Sequence, residues 1–225
     1  ELDKLVREKT ERYDFHAIFT QIHDFCNGDL SAFYFDIRKD TLYCDSLASR
    51  ERRACRTVMD ETLKCLISWI APILCFTADE AWMAYRGDAE DSIHLHEYAP
   101  TDANWENPEL GRKWAAIRKT RSEITTALEA ARNDGLIGGS LSADIRVHVS
   151  AETGAVLDGL DLASLCITSS AELVTGSVTE TKVEVARATG GKCARCWKQF
   201  PQIPAASEGE ICSRCADVVA EQDVV

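Results

Sequence analysis

The chain has 225 residues, 45% of them hydrophobic and 28% charged, the composition of a globular protein with room for one large domain or two to three small ones. Its longest apolar stretch, Leu66 to Phe76, contains Ser68 and Pro72 and is too short for a bilayer, which needs about 20 apolar residues. With 25 basic and 37 acidic residues the net charge is −12, which argues against general phosphate binding. The charge is uneven, however: residues 187–198 carry Arg187, Lys192, Arg195 and Lys198 and no acid, and a local basic face can steer RNA on an acidic protein.

The first elements read as helices. Phe15, Ile18, Phe19, Ile22, Phe25 and Cys26 recur at helical spacing, and Asn27-Gly28 is expected to end that helix. Leu30, Phe33, Tyr34 and Ile37 predict a second helix, closing near Lys39-Asp40. A third follows, with one apolar stripe through Cys55, Val58, Met59, Thr62, Leu63, Leu66, Ile67 and Ile70. Pro72 interrupts it. A further helix begins at Pro72, or after Thr77, where Thr77-Ala-Asp-Glu80 has capping-box form, and stops by Gly87. These elements predict a helix bundle over about residues 10–87.

Beyond a polar connector with Pro100 and Pro108, a long amphipathic helix carries Leu110, Trp114, Ile117, Ile124, Leu128 and Ala131 and ends before Gly135. Gly138-Gly139-Ser140 is a turn. The period then changes to two, with Ile145, Val147 and Val149 alternating with polar residues, and Val183 and Val185 doing the same. The reading is mainly α: a helical domain over 1–100, a long helix with a small α/β unit over 101–186, and a cysteine-rich domain over 187–225.

The sharpest chemical signal lies at the end. Cys193-Ala-Arg-Cys196 and Cys212-Ser-Arg-Cys215 are separated by fifteen residues, a spacing at which two C-x-x-C pairs hold one zinc ion. Zinc takes four thiolates at about 2.3 Å in a tetrahedron, and with all four positions filled by protein the ion is structural. So small a segment cannot build a core alone, and metal binding would supply its folding energy. A redox reading would place a lone C-x-x-C in a βαβ setting. The remaining cysteines, Cys26, Cys44, Cys55, Cys65, Cys75 and Cys166, are scattered singly and behave as small hydrophobes. With no export signal, a reducing cytoplasm is expected. Glu1 at the first position reads as the start of a piece of something longer.

Trp197 follows the second cysteine, between Arg195 and Lys198. It either stacks on an unpaired base or packs over the metal site as its miniature core. Arg50, Arg52, Arg53 and Arg56 open the third helix, and Arg112, Lys113, Arg118, Lys119 and Arg121 lie along the long helix; either group can meet phosphates or form a solvated face. Candidate RNA contacts are therefore Arg195, Trp197, Lys198, Arg52 and Arg53. No nucleophile–base set, catalytic carboxylate pair or phosphate loop is visible.

Several segments resemble one family. Tyr13-Asp-Phe-His16, Phe33-Tyr-Phe-Asp-Ile-Arg-Lys-Asp40, and Trp69-Ile-Ala-Pro-Ile-Leu-Cys-Phe-Thr-Ala-Asp-Glu-Ala-Trp82 are similar to the anticodon-binding domain of bacterial isoleucine–tRNA ligases. So are Ile137-Gly-Gly-Ser-Leu141, Lys192-Cys-Ala-Arg-Cys-Trp197 and Ile211-Cys-Ser-Arg-Cys215. The helical motifs occur in weaker form in valine and leucine enzymes; the terminal knuckle separates the isoleucine enzyme from them. The resemblance implies the anticodon-gripping end of a class I synthetase that uses ATP, with tRNA-Ile as partner, one structural zinc on Cys193, Cys196, Cys212 and Cys215, and catalytic and editing domains elsewhere in a monomeric, cytoplasmic enzyme. Neither of the family's nucleotide-site signatures, HIGH and KMSKS, occurs here. The competing expectation is a zinc-knuckle adaptor that binds another protein.

Overall fold

The computed structural model describes residues 1–203 and 209–222. It is mainly helical, as the periodicity predicts, and divides into two compact units. One comprises Glu1–Asp36 and Ala48–Asn107, the other Ile37–Leu47 and Pro108–Val225. No helix among the described residues is long and apolar enough to cross a membrane.

In the first unit, α1 (Leu2–Glu11) and α2 (Phe15–Asp24) pack together. Asp14 starts α2 by accepting from the Ala17 N–H, which satisfies one of the donors every helix start leaves open. Their contact closes over α4 (Arg50–Ile70). Val6, Ile18, Ile22, Cys65 and Trp69 are buried as one cluster. Ile67 and Ala71 continue the stripe beneath α5 (Cys75–Arg86), against Ala78 and Ile93. The Asp3 carboxylate stitches the cluster's edge, receiving Trp69 Nε1 at 3.1 Å, Thr101 Oγ1 at 2.8 Å and Arg7 Nε at 2.9 Å.

Three sequence expectations are corrected here. Asn27-Gly28 does not break the chain: a π-helical stretch, Phe25–Phe35, runs through it and continues into α3 (Asp36–Cys44). Gly28 sits in open space within that stretch, and its cost in a helix, about 1 kcal/mol relative to alanine, is too small to end an element that is packed elsewhere. The helix accordingly ends at Cys44 and not near Asp40. Finally, α5 starts at Cys75 from Leu74, with no side-chain cap, so Thr77 lies inside it. The end of α5 is as expected, with Gly87 at φ +69° in the left-handed cap that glycine adopts without penalty.

In the second unit, α6 (Pro108–Asn133) buries Ile117, Thr120, Ile124, Leu128 and Ala131 along one face. That face meets β3 (Lys182–Arg187), α7 (Ala151–Leu157) and α8 (Leu162–Cys166). Arg121 Nε donates to the Leu165 carbonyl at 2.8 Å, so this member of the long helix's basic group ties α6 to α8. The sheet has order β2-β1-β3. β1 (Ala143–Ser150) pairs parallel with β2 (Ser170–Gly176) and antiparallel with β3. A parallel pair needs a crossover, supplied by α7 and α8. Ala143, Ile145, Val147 and Val149 are all buried, the period-two face of the central strand.

Candidate metal centre

The tail begins at Gly190, whose φ is +87° and whose added Cβ would lie 1.9 Å from the Phe200 carbonyl oxygen. Only glycine fits on both counts. The chain then forms a short hairpin, β4 (Gly191–Lys192) against β5 (Gln199–Phe200). Its tip is the first knuckle, closed by Cys193 N–H to Lys198 O at 2.9 Å and Trp197 N–H to Cys193 O at 3.0 Å. The second knuckle opens α9 (Ser213–Gln222), with Ala216 N–H donating to Cys212 O at 2.9 Å. A bridge from Ala194 N–H to Glu210 O, also 2.9 Å, joins the two.

This folding brings together the four cysteines singled out from the sequence. Their sulfurs lie within 4.8 Å of one another, all four residues are buried, and together they form a group that can hold a metal ion. Four sulfurs at about 2.3 Å from one tetrahedral ion would stand about 3.8 Å apart; Cys196 Sγ and Cys212 Sγ are 3.9 Å apart. The electrostatics point the same way. Burial raises the Cys193 pKa, but backbone N–H groups of Cys196, Cys212 and Arg195 outweigh it and bring the thiol down to about 6. Burial pushes Cys196 and Cys212 up. One sulfur is thus ready as a thiolate, while others need a cation beside them before they ionise. A bound divalent metal supplies that charge.

The miniature core around the sulfurs is not made by Trp197. Cys44 and Ile203 are buried against them, with Phe200 and Ile211 alongside. Trp197 is 58% exposed. Its backbone is left-handed, φ +66°, which costs a side-chain-bearing residue roughly 1–2 kcal/mol. Lys192 Nζ rests 4.6 Å from the ring centroid. Beside them lies a shallow hollow of about 200 Å³ lined by Gly139, Leu141, Ser142, Lys192, Trp197 and Gln199. Gly139, from the Gly138-Gly139-Ser140 turn picked out in the sequence, therefore borders the knuckle.

The five residues expected at RNA fare differently. Trp197 is exposed and Lys198 half-buried on the hairpin. Arg53 is exposed and Arg52 half-buried in the first turn of α4, whose N-terminus is capped by Ser49. Arg195 is engaged elsewhere: Nη1 donates to the Cys44 carbonyl at 2.6 Å and Nη2 to the Tyr43 carbonyl at 3.0 Å. Sequence reasoning also missed Arg214. Its two terminal nitrogens reach both oxygens of Asp40 at 2.7 Å, and one of them lies 3.4 Å from Asp45 Oδ1. The fork holds Asp40 below the usual carboxylate range, although burial acts to raise it. The available signal was the shared form of the knuckles, Cys-x-Arg-Cys in both.

The anticodon-binding domain of tRNA ligases matches residues 1–148 of this sequence. The chain belongs to that family. Among individual relatives, the isoleucine–tRNA ligase of Gluconobacter oxydans is 46% identical over 223 residues, 98% of this chain and 23% of its own length. Those of Zymomonas mobilis and Agrobacterium fabrum are 40% and 42% identical, covering 98% and 91% of this chain and 24% and 23% of theirs. The chain thus spans about a quarter of the length of the curated relatives it matches.

Proposed function

We propose that this chain is the anticodon-end recognition module of an isoleucine–tRNA ligase, an enzyme that uses ATP to join isoleucine to tRNA-Ile, with catalysis and editing carried by other parts of that enzyme. The observation that carries the reading is the match to isoleucine–tRNA ligases across 98% of the chain, knuckle included. In this reading Cys193, Cys196, Cys212 and Cys215 hold one structural zinc, and the metal's chemistry is confined to fixing the tail's fold. The chain works as three segments: helices over 1–100, the long helix and α/β unit over 101–186, and the zinc tail over 187–225. Its partners are tRNA-Ile and the catalytic domain of the same polypeptide, in a monomeric cytoplasmic enzyme.

RNA sequence is read mainly at unpaired bases, which the anticodon offers and which stack on aromatic rings. Trp197 is suited to this. A glycine at position 197 would relieve the left-handed backbone, so the indole is retained against local stability, and strain of this kind marks functional positions. Lys198 adds charge beside it. Arg52 and Arg53 stand at a helix N-terminus, where cations oppose the helix dipole; a phosphate there would be drawn by the arginines and by the positive end of that dipole, although Ser49 already caps the Arg52 N–H.

The test is Trp197→Gly in the metal-loaded chain. Folding stability should hold or rise by up to about 1 kcal/mol. Affinity for tRNA-Ile should drop by the value of a stacked base, about 1–3 kcal/mol. Unchanged affinity would remove Trp197 from the interface. Equal binding of the unaltered chain to unrelated tRNAs and duplex DNA, or no RNA binding together with capture of a protein partner, would overturn the whole reading in favour of an adaptor.

A further inference from the structure

Each cysteine knuckle carries an arginine just before its second cysteine, Arg195 in one and Arg214 in the other. Both reach the same short helix. Arg214 forks onto Asp40 within α3, with two contacts of 2.7 Å. Arg195 donates to the carbonyls of Tyr43 and Cys44, at the end of α3. Those carbonyls belong to the last turn, which has no partners within its own helix, and the negative end of the helix dipole favours a cation there. Between the two arginines, Cys44 is 4% exposed and lies against the sulfur cluster and Ile203; its thiol points at the Arg195 carbonyl, 3.7 Å away. The helix is therefore gripped at its middle by a planar, two-point ion pair, at its end by a cap, and between them by an apolar plug.

We infer that Arg195 and Arg214 are positioning residues that register the metal knuckle on α3 and so fix where Trp197 and Lys198 stand. This rests on the RNA-binding reading above and assigns Arg195 to the knuckle's seat. A guanidinium is chosen over an ammonium in both places because its rigid fork meets two acceptors at once, which fixes direction as well as distance. Trp197 is two residues from Arg195, on the same turn that the Cys193 carbonyl closes. A tilt of that turn would move the indole without releasing any sulfur.

The experiment uses the full chain loaded with zinc, in five forms: unaltered, Arg195→Gln, Arg214→Gln, Lys198→Ala and the exchange Asp40→Arg with Arg214→Asp. Three quantities are read: bound zinc, the alkylation rate of Cys44, and tRNA-Ile affinity as a function of salt. Both single variants should keep one zinc, expose Cys44 to faster alkylation, and bind RNA roughly tenfold more weakly. Their slope of log affinity against log salt should stay unchanged, because no phosphate contact is lost; Lys198→Ala, in contrast, should reduce the slope by about 0.7. The exchange should restore part of the Cys44 protection and part of the affinity. Protected Cys44 with unaltered affinity overturns the inference, as does a reduced slope for Arg195→Gln, which would make it a phosphate contact. If Arg214→Gln loses zinc, Asp40→Asn, which leaves the knuckles untouched, replaces it; loss of zinc there too shows a role in holding the metal and overturns positioning. If the unaltered chain fails to prefer tRNA-Ile, the RNA reading falls, while Cys44 protection still judges the seat by itself.

Discussion

In the first unit, Ile18 and Val6 are wholly buried among Ile22, Cys65 and Trp69, and the stripe that buries them is continuous along α2 and α4. Among the described residues of the tail, the fully buried side chains are Cys193 and Cys215, and the apolar residues near them are few. The first region excludes water with a surface that each helix brings with it. The second has too little such surface and relies on four sulfurs, a glycine that admits the chain, and contacts to a helix far away in sequence. The contrast shows two ways for a segment to hold one shape. Burial spreads the stabilisation over many atoms, each worth little. Ligation would concentrate it on one ion, so under the proposed zinc reading the tail's order stands or falls with that ion.

Removing the metal separates the two regions most sharply. Structural zinc in isolated knuckles is worth about 10–16 kcal/mol at neutral pH. Chelation, or Cys212→Ser, should therefore abolish amide protection across 191–203 and 209–222 while leaving that of α1, α2 and α4 intact. Hydrogen exchange, with elemental analysis of the starting material, checks this. Absence of metal from carefully purified protein, with a tail that stays protected, would end the zinc assignment. The second largest effect falls on the other side of the contrast. Ile18→Ala opens a cavity in the first unit's core and should cost about 2–5 kcal/mol by denaturant titration, with bound zinc unchanged. A loss of zinc in that variant would show that the two regions do not behave as separate sources of stability.

The smallest effect concerns the carboxylate at the rim of the helical core. Burial tends to raise the Asp3 pKa, but hydrogen bonds from Arg7, Thr101 and Trp69 lower it below 3.8. A depressed carboxylate contributes stability that is fully present above its unfolded pKa and is lost as pH falls through its folded one. Asp3→Asn should thus cost about 1–2 kcal/mol near pH 7. The gap between variant and unaltered protein should narrow only below about pH 4. Urea titrations at pH 7, 5 and 3 measure it; a gap that does not change with pH would locate the effect in packing and not in charge.

What the sequence revealed divides along similar lines. Apolar stripes are local, and those of α4, α6 and β1 were legible because each is set by spacing within one element. The cysteine quartet was legible because four like residues at a fixed spacing carry their own geometry. The helix through Gly28 was not, since its small local penalty is outweighed by packing of Leu30 and its neighbours. The parallel strand β2 was missed because no residue of Ser170–Gly176 is fully buried and its partner β1 lies across a crossover. Most informative is α3. Nothing in Asp36–Cys44 announces that Asp40 and Cys44 face cysteine knuckles, because the partners stand 174 and 151 residues further on. That Arg195 donates to the Tyr43 and Cys44 carbonyls was hidden for the same reason: an unpaired cation and one capping a remote helix read alike in one dimension.

That separation sets a timetable for biosynthesis. A ribosome adding about 5–20 residues per second delivers Arg214 some 9–35 s after Asp40, 174 residues earlier. Throughout that interval α3 has emerged without its clasp, and the Cys44 thiol has nothing to cover it. A nascent chain must carry this half-finished helix until the second knuckle has been made, which makes the interval the natural window for a chaperone, or for an oxidant, to find it.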